Sequence, residues 1–281
     1  MHYVLDPKQG KEVLFSSHFF DIEVAQELYD EILPLTIRED FPDQMFLLPV
    51  LQFFEGKRGL HVLVAHYKYD AELKEIKTEE HWTETELRKL VVKYKGRSMN
   101  EQAKTNEWNY ISHQDLQQGM KVPWGSGFYP FGGFVSDANA KEVTSSLISH
   151  WKNSDIPEFS KKVPFHSTSL YQFGGKIQRS RNPEESAWPG NKDTQLLTVT
   201  WGGWLNPEDK GAMISWVKDQ WSSLYKKLQF GYICAASFDW KSSSYAEFVY
   251  GSNYEKLRLL KGKYDPDNIF RHNVNIPPKQ A

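Results

Sequence analysis

Apolar and polar residues alternate, or apolar residues run together, in seven stretches of the chain. These lie near Glu12–Phe20, Met45–Phe54, Leu60–Tyr69, Gly127–Val135, Ser167–Ile177, Thr194–Trp204 and Phe230–Phe238, and each predicts a strand. Helical spacing fills the intervals. Asp21 is a good N-cap for a helix that puts Val24, Ala25, Leu28 and Ile32 on one face. Thr83 and Glu86 have the spacing of a capping box. A third helix follows Asp137 and carries Val143, Leu147 and Trp151. The clearest start is Asn206-Pro207, where Asn caps, Pro fits the first turn and Asp209 suits the positive end of the helix dipole. Its expected buried face is Ala212, Met213, Trp216, Val217, Trp221 and Leu224. A last helix opens near Ser252, carries Tyr254, Leu257 and Lys261, and stops before Asp265-Pro266, because proline blocks continuation.

The strands are amphipathic. Strands covered on both faces would read as continuous apolar runs. The pattern therefore predicts an α+β fold: an antiparallel-rich sheet with helices packed on one face, plus a short helical C-terminal tail. Residues 1–240 form the main lobe in this reading and 241–281 the appended segment. The polar stretch Lys95–Asn109 reads as a loop.

Charge and composition narrow the function. The chain has 281 residues and a net charge of -2, with no block of like charge, so neither a nucleic-acid grip nor a membrane-surface grip is expected. A mean hydropathy of -0.61 and the lack of a long apolar run argue against a membrane span. The first residues lack the basic start and apolar stretch of a signal peptide, which favours the cytosol. Cys234 is the single cysteine, so no intrachain disulfide can form. Aromatics reach 15%, with 10 tryptophans, which suits a large aromatic core or a cavity for a ring-bearing ligand.

Several chemistries lack their residues. No phosphate loop, dinucleotide-binding glycine motif or Gly-x-Ser-x-Gly elbow occurs. His61 and His66 are separated by an odd interval on one strand, so they face opposite sides and cannot share a metal ion.

The C-terminus reads Tyr250-Gly251-Ser252-Asn253-Tyr254, then Lys261-Gly262-Lys263-Tyr264-Asp265-Pro266-Asp267-Asn268-Ile269-Phe270, and closes on Asn273-Val274-Asn275-Ile276. This long run resembles the terminal signature of the berberine-bridge-enzyme family of FAD-linked oxidases. Upstream, Gly174-Gly175, Glu185-Ser186-Ala187-Trp188-Pro189 and the Trp201 to Trp221 segment are similar to the family more weakly. The resemblance covers the substrate-binding half of that architecture. It finds no counterpart here to the N-terminal lobe that holds most of the FAD.

The resemblance implies that the sheet roofs the flavin ring, that FAD is bound non-covalently if at all, and that the tail docks on a flavin lobe. Tyr232 matches the first tyrosine of the family's Tyr-x-Asn-Tyr strand, which can act in base catalysis. Cys234 and Ala235 replace the asparagine and second tyrosine, and a thiol is a poor substitute for an amide. Read from the residues alone, Tyr232 is equally a strand residue with a bonded hydroxyl. Asn253, Tyr254, Asn273 and Asn275 are the flavin-side candidates, with capping and turn formation as their plain reading. His166, Gln172 and Cys234 are expected to line a substrate pocket with Tyr232.

Three functions follow. The chain is the substrate lobe of an FAD-linked oxidoreductase acting on a small organic, secondary-metabolite type substrate, enzymatic once a flavin lobe is supplied by another chain or by a further part of the gene, with self-association as the other expected partner. Alternatively it is a flavin-free cyclase, isomerase or small-molecule binder built on the same lobe, or an inactive relic.

Overall fold

The computed structural model describes residues 13–36, 41, 45–67, 83–98, 106–108, 126–163, 166–173, 187, 190, 193–232, 234, 243–272 and 274–279. Nine strands form one sheet: β1 (Val13–Asp21), β2 (Met45–Phe54), β3 (Lys57–Tyr67), β4 (Arg97–Ser98), β5 (Asn106–Trp108), β6 (Gly127–Ser136), β7 (Ser167–Gln172), β8 (Thr194–Trp204) and β9 (Phe230–Gly231). Their spatial order is β4-β1-β3-β2-β7-β8-β6-β9, with β5 also on β1, and every pairing is antiparallel. The helices are α1 (Ala25–Thr36), α2 (Arg88–Lys93), α3 (Asp137–Asn153), α4 (Lys210–Trp221), α5 (Ser243–Tyr250) and α6 (Tyr254–Tyr264). The expected α+β architecture is the observed one.

β2 and β3 form a hairpin whose two turn residues, Glu55 and Gly56, have φ of 49° and 76°. Two successive positive φ values give the turn whose twist matches that of the strands. Proline is tolerated twice in the sheet because of its place. Pro49 lies just beyond the Val50–Gln52 ladder that joins β2 to β7. In β6 the carbonyl of Phe134 accepts from the Gln229 amide on the β9 side. Pro130 has the same parity, so its missing N–H lies on that same outer side, beyond the two-residue β9.

Alternate residues of a strand face opposite sides. One side carries Phe20, Leu47, Leu51, Leu60, Val62, Val64, Val135, Leu170 and Leu196. These pack with Leu28, Tyr29 and Ile32 of α1, Val143, Leu147 and Trp151 of α3, and Met213, Trp216, Val217 and Trp221 of α4. Burying such side chains stabilises the lobe by roughly 1.5–3 kcal/mol each.

Inside this layer runs a directional hydroxyl chain. Trp151 Nε1 donates to Thr168 Oγ1 at 2.8 Å, and Thr200 Oγ1 donates to Gln220 Oε1 at 2.7 Å. Trp221 Nε1 donates to Thr200 Oγ1 at 3.0 Å. The single Thr200 proton goes to Gln220, so in the 3.0 Å contact between the two threonines Thr168 is the donor. The chain ties α3 and α4 to the middle of the sheet. At the C-terminus of α3, Arg58 Nη1 reaches the carbonyls of Trp151, Lys152 and Ser154 at 3.0–3.1 Å.

The opposite face carries a second cluster of Phe134, Leu197 and Val199, with Tyr171, Phe173, Trp201, Phe230 and Tyr232 around it and no residue from a described helix.

Several expectations are corrected in detail. The Lys95–Asn109 stretch contains β4 and β5, since the outer edge of β1 offers backbone groups that need partners. The Asn206 side chain bonds the Asp209 carboxylate at 3.3 Å and makes no cap bond to backbone. Ala212 is exposed, and its expected place on the buried face is taken by Gln220, which the Thr200 hydroxyl holds inside. The segment Thr83–Leu87 is a π-type turn before α2, and Glu86 pairs with Lys89 at 2.9 Å; the Thr83 side chain lies outside the described residues. β9 is two residues long and Cys234 lies in a 3-10 turn, so no single strand runs from Phe230 through Cys234.

Candidate functional site

Tyr232 follows directly on β9 and shares the parity of Phe230, so it projects onto the face without helices. Its ring stands edge-on to Phe134 at 5.8 Å, interplanar angle 90°. Phe134 in turn stacks on Phe173 at 5.9 Å and 18°. Tyr171 and Phe46 continue the wall across β7 and β2, 6.4 Å apart. Further along the strands Phe128 meets Trp201 edge-on at 5.4 Å. Edge-on and offset arrangements are those that aromatic quadrupoles favour. The half-buried rings among these leave an apolar surface.

Burial, and then the neighbouring Cys234 thiol, push the Tyr232 phenol up to about 12. It is therefore a hydrogen-bond donor near neutral pH, and nothing cationic among its described neighbours favours a phenolate. The exposed Cys234 lies within reach of the hydroxyl. The C-terminal segment closes this corner from the side. Tyr245 Oη donates to the Tyr232 carbonyl at 3.5 Å, and Tyr250 is raised by burial first and by Cys234 second.

His166 and Gln172 are not part of this corner. Residues 166, 168, 170 and 172 share the helix-side parity, and the placement beside Tyr232 is corrected on that ground. His166 stacks on Trp151 at 5.0 Å and meets Trp216 at the same distance. Its Nδ1 lies 3.3 Å from the Trp201 carbonyl, its Nε2 has no partner, and burial holds its pKa down to about 4. Gln172 sits beside the Tyr29 hydroxyl, outside hydrogen-bonding geometry, and burial raises the Tyr29 phenol.

Of the flavin-side candidates, Asn253 is buried and donates to the Ala187 carbonyl at 3.5 Å. Tyr254 is buried with the Arg258 guanidinium 5.8 Å over its ring. Asn275 keeps a buried Oδ1 with no partner, while Asn273 lies outside the described residues. Asn268 closes the tail turn at φ 52°, beneath an Asp265 carboxylate that accepts from the Ile269 and Phe270 amides at 2.8 and 3.1 Å.

Sequence reasoning missed a polar group on the same sheet face. His61 bonds Ser17 Oγ through Nε2 and Gln52 Nε2 through Nδ1, both at 2.5 Å, and burial lowers its pKa to about 4. Cross-strand register alone signals it, since Ser17, His61 and Gln52 lie on adjacent strands. Both ring nitrogens are occupied within the protein, and the His66 side chain lies outside the described residues. Five strand spacings separate β3 from β9, about 24 Å. Cavities of about 320 Å³, beside Phe159 and Asn206, and about 570 Å³, beside Ser145 and His150, also lie apart from Tyr232.

With this geometry in hand, likeness to known proteins is specific. Residues 205–277 match the family described as Berberine and berberine like, and that match is confined to the C-terminal region of the chain. The FAD-linked oxidoreductase YgaK of Bacillus subtilis is 28% identical over 127 residues, covering 44% of this chain and 27% of that protein. Among solved structures, CrmK, a flavoenzyme of caerulomycin biosynthesis, superposes with a TM-score of 0.72 at 15% identity over 97% of this chain and 57% of its own. The berberine bridge enzyme from Eschscholzia californica gives 0.66 at 17% identity, over 96% and 55%. The chain thus has the fold of the berberine-bridge-type flavoenzymes over about half their length, and the curated relatives it resembles are FAD-linked oxidoreductases.

FAD is the cofactor these relatives imply, and the residues present fit part of it. The aromatic face suits one side of a flat ring, and the orphaned Oδ1 of Asn275 is a buried polar atom awaiting a partner. No glycine-rich phosphate cradle occurs among the described residues, so none of them offers the diphosphate a seat.

Proposed function

We propose that the chain is the substrate-side wall of an FAD-linked oxidoreductase acting on a small organic molecule. The observation that carries this reading is the two-sided sheet: one face is sealed by α1, α3 and α4, and the other presents an aromatic wall ending at Tyr232. Clefts lined by rings with few polar groups suit small apolar ligands. FAD, when bound, would accept the substrate hydride. The chain's own part is to orient the substrate on the wall, to exclude water from it, and to hold a proton on Tyr232 Oη. With its phenol pushed up to about 12, Tyr232 acts as a donor to a substrate oxygen and not as the resting base.

The flavin-bearing part comes from another chain or from sequence outside these residues. The test is a visible absorption spectrum of the protein purified alone, with added FAD, and with any flavoprotein that co-elutes from its source cells. A retained flavin band near ~450 nm is expected in at least one case. Colourless protein in all three would overturn the reading. The flavin-free cyclase or isomerase would then stand, since a protonated Tyr232 can polarise a carbonyl without any cofactor.

A further inference from the structure

The five strands nearest Tyr232 share a compositional property. β2, β7, β8, β6 and β9 contain no Asp, Glu, Lys, Arg or His at all. Among the described residues, the polar side chains that reach the helix-free face there include Gln52, whose amide is held by His61, and the hydroxyls of Ser167, Ser169 and Tyr171, joined at the corner by Tyr232 and the Cys234 thiol. Arg97, at the far edge of the sheet, is committed to Glu55 at 2.7 Å.

Ligand classes differ in what they ask of such a surface. A saccharide presents many hydroxyls, and each one desolvated without a partner costs roughly 1–3 kcal/mol. A handful of scattered hydroxyls and one amide already engaged by His61 cannot meet that demand. An alkylammonium ion gains from ring faces, but its desolvation is costly without a carboxylate nearby. A flat neutral ring system needs only stacking surface and one polar anchor. Phe173, 18° from parallel with the buried Phe134, supplies the surface, and the Tyr232 hydroxyl supplies the anchor.

We infer that the wall beside Tyr232 takes an uncharged, fused-ring aromatic bearing a hydroxyl or carbonyl group, in preference to a saccharide or an alkylamine. This rests on the reading of that face as the substrate wall, and deepens it to a substrate class. The ring lies against Phe173, which the buried Phe134 backs, with its oxygen accepting from Tyr232 Oη.

Isothermal titration of the 281-residue chain tests it, with 1-hydroxyanthraquinone, xylobiose and a protonated N-methyltetrahydroisoquinoline as probes. The anthraquinone is expected to bind at least roughly tenfold tighter than the other two. Phe173→Ala should weaken it roughly tenfold, and Tyr232→Phe, which keeps the packing, roughly three- to tenfold. Tighter binding of xylobiose or the amine, no binding of the anthraquinone, or binding indifferent to both substitutions would overturn the inference. Binding is scored without turnover and without flavin. A colourless protein that still selects the anthraquinone therefore overturns the oxidoreductase reading alone, and a yellow one that selects xylobiose overturns the substrate class alone.

Discussion

Thr200 and Thr198 sit two residues apart on β8, both fully buried on the helix side, yet their hydroxyls have opposite circumstances. Thr200 Oγ1 accepts from Trp221 and Thr168 and donates to Gln220. Thr198 Oγ1 has no partner. Replacing Thr200 with valine strands two donors and one acceptor in the core, each costing about 1–3 kcal/mol. The added methyl returns about 0.8 kcal/mol. With partial relaxation, Thr200→Val should lower stability by about 2–4 kcal/mol. Thr198→Val strands nothing and removes a desolvated hydroxyl, so it should be neutral or stabilising by about 1 kcal/mol. Urea unfolding followed by tryptophan fluorescence reads both, with the slope of the transition required to stay constant so that midpoints report stability. Trp151 and Trp221 lie in the network itself. Midpoints of the two variants that agree within about 0.5 kcal/mol would refute the reasoning, because residue type, strand and burial are shared and only the partners differ.

Other outcomes follow from groups already placed. Arg58→Ala frees three carbonyls at the end of α3 and should cost about 1–2 kcal/mol in the same assay, with Arg58→Lys recovering part of it. His18, His61 and His166 are held neutral by burial, with pKa near about 4 in the fold against an ordinary 6.5. The unfolded chain binds protons more readily than the fold, so their contribution is complete above pH 6.5 and drains as pH falls toward 4. For the most buried, His166, this amounts to at most about 3 kcal/mol, and stability unchanged between pH 7 and pH 4.5 would contradict it. Asp265→Ala removes the carboxylate that fixes Ile269 and Phe270 and should speed proteolysis between residues 265 and 272, while the melting of the sheet stays the same.

The strand pattern was readable because a period of two survives wherever one face is buried. Met45–Phe54 and Thr194–Trp204 come out with the bounds that alternation assigns. α1, α3 and α4 were readable for the same reason at a period of 3.6. Short edge strands were not: β4 and β5 exist because β1 has an open edge, and two or three polar residues carry no periodic signal of their own. Parity also bears on the site. It assigns Tyr232 to the helix-free face once β9 is anchored at Phe230, and it puts His166 and Gln172 on the other face once β7 is registered against β8. Registration is a tertiary fact, so grouping those residues from sequence spacing alone could not succeed. Gln220 shows the same limit. A glutamine on a helix reads as a surface residue until a buried hydroxyl on another element is seen to claim it.

Pro130 bears on how copies of this chain can meet. Sheets polymerise by their rims: an exposed strand offers alternating donors and acceptors, and a stranger's backbone can zip onto them. On the outer rim of β6 one donor is deleted by the proline ring, and the two-residue β9 covers the neighbouring positions. At the opposite rim, β4 and β5 are too short to template a long partner. Lateral growth is thereby discouraged at both described rims, which leaves the broad aromatic face as the surface by which copies would meet. A contact there would be made by side chains, and a ligand on the wall would compete with it. Self-association should therefore weaken as the wall fills, a colloidal signature that light scattering can follow.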